Sequence, residues 1–306
     1  MQYLCYVMQK VKNTIPVYDI CSLNGERQGF GDLIAEPFAA YLKVHPNLHT
    51  PHRHSFYHLV FFTKGNGHHT IDFEQFNVRK GLIYFMIPGQ VHSWSFEGEV
   101  DGYVINFSEE LFRSFLSNTS YLEQFPFFSG IATESVFQLN GSIYTDACKL
   151  FETIIKEAVS KEVNSADIIR TCLVQLFISV QRTIRAITAV RAPQQNQLIL
   201  TNFRKLTDTY YAEKRLPKEY AAMLYITPNH LNALCKDLLG KPAGELIRDR
   251  VLLEAKRLLI NMDKSIADIG YQLNFSDNSH FTKFFKKYTN VTPEEFRKNF
   301  TGNVKK

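Results

Sequence analysis

A mixed α and β chain of two domains is the architecture the sequence predicts: an N-terminal β-barrel followed by helices, then an all-α C-terminal domain. Three observations predict it. From about Phe38 to Phe107 run short aromatic and β-branched stretches (YHLVFFT, HTIDF, LIYFMIP, SWSFE, GYVINF) separated by turn signals such as KGNG and PGQ, the texture of strands joined by tight turns. After Asn140 the apolar period changes to that of helices. Charge is also unevenly divided: residues 191–306 hold 20 Lys+Arg against 12 Asp+Glu, whereas residues 1–190 hold 15 against 18. The basic charge therefore lies in the C-terminal third, where a polyanion would be gripped.

The 306 residues, 45% of them apolar, suffice for two cores. The opening MQYLCYVMQKVKN places its apolar run before its lysines, the wrong order for a signal peptide. No window approaches the roughly 20 uninterrupted apolar residues that a membrane span needs. Cys5, Cys21, Cys148, Cys172 and Cys235 are scattered and odd in number, which points to a reducing, cytoplasmic setting rather than a disulfide framework or a structural zinc site.

Residues 1–142 are assigned to the barrel, which has room for one small ligand. Residues 143–190 are assigned to two helices. The first carries Ala147, Leu150, Phe151, Ile154, Ile155 and Ala158 on one face. The second starts at Ser165 and carries Ile169, Leu173, Leu176, Val180, Ile184 and Ile187, a near-heptad stripe expected to pair helices across a homodimer. The polar stretch 191–198 (RAPQQNQL), with a proline and no apolar period, is expected to be the linker.

Residues 199–303 read as helices throughout, and Ser265–Arg297 is their most informative stretch. Ser265 with Asp268 forms a capping box, and Ile266, Ile269 and Leu273 share one face. Asn274 supplies a left-handed turn, Ser276 and Asp277 a second cap, and Phe281, Phe284, Phe285 and Tyr288 the next apolar stripe. Thr292, Pro293 and Glu295 start a closing helix. Two short helices about a tight turn, with an amide, hydroxyl and lysine upper face, describe a helix-turn-helix. Residues 216–239 repeat the arrangement: a helix over 218–224, a turn at Tyr225 and Ile226, and a helix opened by Thr227-Pro228, with Leu231, Leu234, Cys235 and Leu238 beneath and Gly240 ending it. Pro242–Ile260 between them predicts a rod of about 28 Å, close to the roughly 34 Å between successive major grooves on one DNA face.

In HLNALCKDLLGKPAGELI, RVLLEAKRLL and SIADIGYQLNFSDNSHFTKFFKKYTNVTPEEFR the C-terminal third resembles the DNA-binding domain of the AraC/XylS family. HRHSFYHLVFFTKGNG and IPGQVHSW resemble that family's cupin-like N-terminal domain. The resemblance implies a cytoplasmic, sequence-specific transcription regulator. Its partners would be promoter DNA, a small-molecule effector and a second copy of the chain, with RNA polymerase added where it activates. Gly270, Asn274 and Asn290 depart from the family pattern, in which Ala, Gly and Gly are usual, and Cys235 stands where Phe is usual. Both asparagines still tolerate positive φ.

For base edges the candidates are Asn229, Asn232 and Lys236 in the first unit and Asn278, Ser279, Thr282 and Lys283 in the second. Lys286, Lys287 and Arg297 are placed for phosphates. For the effector the candidates are His52, His54, His58, Tyr84, His92 and Trp94, with His68 and His69 expected to be exposed after their Gly-rich turn. No nucleophile elbow, phosphate loop or carboxylate pair stands out, so neither enzymatic activity nor a cofactor is expected. The alternative left open is a metal-dependent cupin enzyme with an appended DNA-binding domain, in which His52, His54, His58 and His92 hold zinc or iron.

Overall fold

The computed structural model describes residues 15–24, 31–113, 115–116, 121–160, 162–188 and 194–304. The opening segment with Cys5, and linker residues 191–193, lie outside them. Contacts divide the chain into two compact units, one chiefly Pro16–Lys205, the other chiefly Leu206–Ala233 and Lys241–Lys306.

The first unit runs β1 (Val17–Tyr18), α1 (Ile20–Asn24), β2 (Leu33–Pro37), α2 (Phe38–Val44), β3 (His52–His54), β4 (Tyr57–Lys64), β5 (Gly67–Ile71), β6 (Glu74–Asn77), β7 (Leu82–Met86), β8 (Val91–Phe96), β9 (Asp101–Phe107), α3 (Glu110–Arg113), β10 (Val136–Gln138), α4 (Gly141–Ser160) and α5 (Ser165–Thr188). Its strands form two five-stranded sheets, ordered β1-β3-β8-β5-β6 and β10-β7-β4-β9-β2. All pairings are antiparallel except β1 with β3.

The second sheet is buried on both faces, and this explains why its strands read as unbroken apolar runs. Val60, Phe62, Tyr84 and Val104 share a core with Ile71 and Trp94 of the first sheet. Leu59, Phe61, Ile83, Phe85, Ile105 and Phe107 pack instead with Phe151 and Ile154 of α4 and with Leu173 and Phe177 of α5. Alternation along one strand thus serves two cores.

The α5 stripe corrects an expectation. Ile169, Leu173, Leu176 and Val180 are fully buried within the chain's own core. A sheet face rich in phenylalanine needs that cover, so the stripe is not a surface for pairing with a second copy. The Ile187 side chain lies outside those described.

The remaining helices are α6 (Gln194–Tyr210), α7 (Pro217–Met223), α8 (Pro228–Leu239), α9 (Ala243–Leu259), α10 (Ile266–Gln272), α11 (Asn278–Thr289) and α12 (Pro293–Val304); they make up the second unit except for residues 194–205 and 234–240, which group with the first. The polar stretch expected as linker is therefore helical from Gln194 onward. The connecting rod α9 has 17 residues, about 25 Å of helix.

The capping chemistry forms as expected. Ser265 Oγ accepts from Asp268 N at 3.1 Å while Asp268 Oδ2 accepts from Ser265 N at 3.3 Å. Asp277 Oδ1 accepts from His280 N at 2.7 Å. Thr292 and Glu295 form a second reciprocal pair at 2.7 and 3.2 Å. Asn274 and Asn290 take the left-handed conformation, with φ of 59° and 64°. Tyr225 does so too at 56°, in the corresponding turn of the first helix-turn-helix. The two turns share one hydrogen bond: Ile226 N donates to Ala221 O at 3.0 Å, and Phe275 N to Gly270 O at 2.9 Å.

Leu259, Ile269, Leu273, Phe281 and Phe285 form the core beneath the second helix-turn-helix. A Cβ at Gly270 would stand 3.2 Å from Phe281 Cβ, so glycine permits the close seating of α11 on α10. Tyr288, expected in the apolar stripe, is 37% exposed and packs beneath the Arg248 guanidinium at 4.4 Å.

Candidate nucleic-acid interface and candidate effector site

Helix α11 is capped at both ends, by Asp277 and by left-handed Asn290. Its buried Phe281 and Phe285 fix which face turns outward. That outward face carries Asn278, Ser279, Lys283, Lys286 and Lys287, all exposed, with Thr282 half-buried beside them. His280 is exposed on the same face and was missed as a candidate. The signal was available, since His280 lies three residues before Lys283 and four after Ser276.

On α8, Leu231, Leu234 and Cys235 are buried, whereas Asn229, His230, Ala233 and Lys236 are exposed. Asn232 is corrected. It is half-buried, and its Oδ1 accepts from Ala243 N, at the start of α9, at 3.1 Å. Its carbonyl is thereby engaged with a helix N-terminus and unavailable for bidentate pairing with adenine.

Arg297 is also corrected. Its Nε donates to Leu259 O and its Nη2 to Lys264 O, both at 2.8 Å. The guanidinium satisfies carbonyls at and beyond the C-terminus of α9 and is not free to hold a phosphate.

Arg215 was not singled out from the sequence. Its Nη2 donates to Leu273 O, and its guanidinium stacks on the Phe275 ring at 4.8 Å. It thereby joins the segment entering α7 to the turn of the second helix-turn-helix.

In the first unit, the strands bring a cluster of imidazoles into the space between the sheets. His52 of β3 pairs in register with His92 of β8, and Trp94 of β8 with His69 of β5. His54 lies two residues beyond His52 and therefore on the same face. His58 reaches the cluster from β4 of the facing sheet, with its ring centroid 4.9 Å from that of His54 and 5.1 Å from that of His92. His52, His54, His58, His69 and His92 are at most 2% exposed.

All the effector candidates therefore meet in one place. Tyr84 joins them through His69, ring centroids 4.5 Å apart, and Trp94 through His92, at 5.1 Å. The expectation that His69 is exposed is overturned: it is fully buried, and its Nε2 lies 3.0 Å from His92 Nδ1. Gly67 and His69 both face inward on β5, so only His68 of the pair keeps partial exposure.

Contacts with fixed donors and acceptors set two of these rings. His52 Nδ1 lies 2.7 Å from Thr50 O. His58 Nδ1 lies 2.6 Å from Asn106 Oδ1, and Asn106 Nδ2 donates to Tyr41 Oη at 3.2 Å. Burial holds all five rings neutral: it lowers the pKa of His52 to about 4 against the bond to Thr50, and that of His58 to about 3 against the bond to Asn106. His54, His69 and His92 are pushed well below the usual imidazole range by burial and then by their neighbouring rings. The buried Tyr84 Oη, Trp94 Nε1 and His58 Nε2 have no hydrogen-bond partner among the described residues.

Comparison with known proteins agrees with both halves of this description. Residues 39–177 match the AraC-like ligand binding domain, and residues 220–299 a helix-turn-helix domain. The Lactose operon transcription activator of Staphylococcus xylosus is 24% identical over 261 residues, 84% of this chain and 88% of its own. The HTH-type transcriptional activator RhaS of Klebsiella pneumoniae is 20% identical over 257 residues, 80% of this chain and 86% of its own. The Probable transcription factor PqrA of Proteus vulgaris is 46% identical over 72 residues, which are 24% of this chain and 59% of that protein. No described helix is long and apolar enough to cross a membrane. With a ligand-binding domain, paired helix-turn-helix units and regulators aligned along most of its length, the chain belongs to the AraC/XylS family of effector-responsive, DNA-binding transcription regulators.

Proposed function

We propose that the chain is a cytoplasmic homodimer that reads promoter DNA with α8 and α11 and senses its effector at the interior cluster of His52, His54, His58, Tyr84, His69, His92 and Trp94. The observation that carries the DNA reading is the outward row Asn278, Ser279 and Lys283 on a helix fixed at both ends. Rigid seating is what base readout in a major groove requires. In the first helix-turn-helix Asn229 and Lys236 take the same role, flanked by Ala233, which offers a methyl contact only. Partnerless polar atoms at Tyr84, Trp94 and His58 support the sensing role, because a bound molecule would satisfy them.

The chain acts by binding rather than by catalysis, a reading supported by its relatives, which are regulators. Effector binding favours the arrangement whose paired DNA-binding units match the half-site spacing. Pairing of two copies would use the outward side of α5, with Ile168, Thr171, Gln175 and Arg182 exposed. RNA polymerase is a further partner where the chain activates transcription.

Fluorescence anisotropy on a promoter fragment across a salt series tests the DNA assignments. Lys283→Ala is expected to relax preference at one base pair, by about 1–3 kcal/mol. Lys287→Ala is expected to weaken binding evenly across sequences and to reduce the salt slope by about one phosphate contact. Arg297→Ala should lower the melting temperature and leave the salt slope unchanged. Indistinguishable profiles for the two lysine variants would reject the assignment.

A further inference from the structure

We propose that His52, His54 and His92 form a three-histidine site for one divalent transition-metal ion of the imidazole-preferring kind, zinc being the type case, with a fourth coordination position left open beside His58. His54 Nε2 stands 3.2 Å from His52 Nε2 and 2.8 Å from His92 Nε2. One potential ligand atom from each ring lies within 4.8 Å of the other two.

Proton counting shows that hydrogen bonds alone serve this arrangement badly. Thr50 O accepts only, so His52 carries its proton on Nδ1 and turns a lone pair inward from Nε2. If His54 Nε2 bears a proton, that proton serves one of its two neighbours well and leaves the other poorly paired. If it bears none, its lone pair faces that of His52. No neutral tautomer gives both contacts a full hydrogen bond, and His54 Nδ1 is itself buried without a partner.

A cation at the meeting point converts the opposed lone pairs into ligands. Four-coordinate zinc with bonds of about 2.0–2.1 Å separates its nitrogen ligands by about 3.3 Å. The 3.2 Å contact already has that value, and the 2.8 Å contact needs to widen by about half an ångström.

The outer contacts are those that metal-bound histidines use. His52 Nδ1–H donates to Thr50 O, and His92 Nδ1–H is placed to donate to His69 Nε2 at 3.0 Å. His58 is held by Asn106 with its Nε2 lone pair unpartnered, ready to accept from a water or effector group in the open position. Three neutral nitrogens and no carboxylate select zinc, cobalt, nickel, copper or iron over magnesium and calcium. Metal binding stands independently of whether an organic effector also enters, and it is read without DNA.

The test titrates the full-length protein, freed of metal by chelator and dialysis, with Co²⁺ followed by visible absorption. The expected result is one equivalent bound with the intense spectrum of a four- or five-coordinate site, displaced by Zn²⁺. His54→Gln and His92→Gln should each abolish that spectrum. His69→Gln, which leaves the three ligands intact, should weaken affinity about 10–100-fold. Absence of a stoichiometric Co²⁺ spectrum in the unaltered protein would overturn the proposal whether or not the variants fold. So would a spectrum unchanged in folded His54→Gln and His92→Gln proteins.

Discussion

Replacing Phe281 with alanine is expected to remove about 3–5 kcal/mol of stability from the DNA-binding unit. Phe281 is fully buried, its ring lies 5.3 Å from that of Phe275 and 6.1 Å from that of Phe285, and its Cβ fills the space that Gly270 leaves. Truncation there removes the anchor that fixes the outward face of α11. Domains of this size hold about 5–15 kcal/mol in total, so the second helix-turn-helix should loosen and promoter binding should fall. Urea denaturation followed by circular dichroism measures the loss, with Lys287→Ala as a surface comparison expected to stay within about 0.5 kcal/mol of the unaltered chain. A loss below about 1 kcal/mol would show that α11 is seated by something other than its phenylalanines.

The second large effect is expected at Arg215, which lies on neither recognition helix. Hydrogen bonds from charged groups contribute about 1.5–3 kcal/mol, and a guanidinium over a ring about 0.5–2 kcal/mol. Arg215 makes both contacts to the turn between α10 and α11. Arg215→Ala should therefore lower stability by about 2 kcal/mol or more and weaken promoter binding while leaving its salt slope unchanged. Lysine should rescue little, because a compact ammonium lacks the planar face that stacks on Phe275. A variant with unaltered stability would show that the two helix-turn-helix units are coupled elsewhere.

Local chemistry was legible in the sequence and tertiary use was not. Ser265 with Asp268, Asp277, Thr292 with Glu295, and left-handed Asn274 and Asn290 were readable because a cap or turn is decided within four residues. Strand texture likewise gave the barrel, and His52, His54, His58, Tyr84, His92 and Trp94 do meet inside it. His69 was misplaced because alternation says that one of His68 and His69 faces inward, while the pairing of His69 with Trp94 decides which.

Asn232 and Arg297 look like solvent-facing polar residues until their partners arrive: Ala243 N for the first, Leu259 O and Lys264 O for the second. The α5 stripe has the spacing of a helix pair, yet a phenylalanine-rich sheet face covers it just as well. Periodicity reports that a face is buried and does not name what buries it. Tyr225 carries no local sign of its left-handed conformation, which only the turn shared with Asn274 explains.

Whether one chain reads two major grooves with α8 and α11 is decided by chemical interference footprinting on a site recovered by mapping genomic binding. Two interference patches are expected on one face of the duplex, about 10 base pairs apart, with Lys236→Ala erasing contacts in one and Lys283→Ala in the other. A single patch, or both variants acting on the same patch, would contradict the two-groove reading.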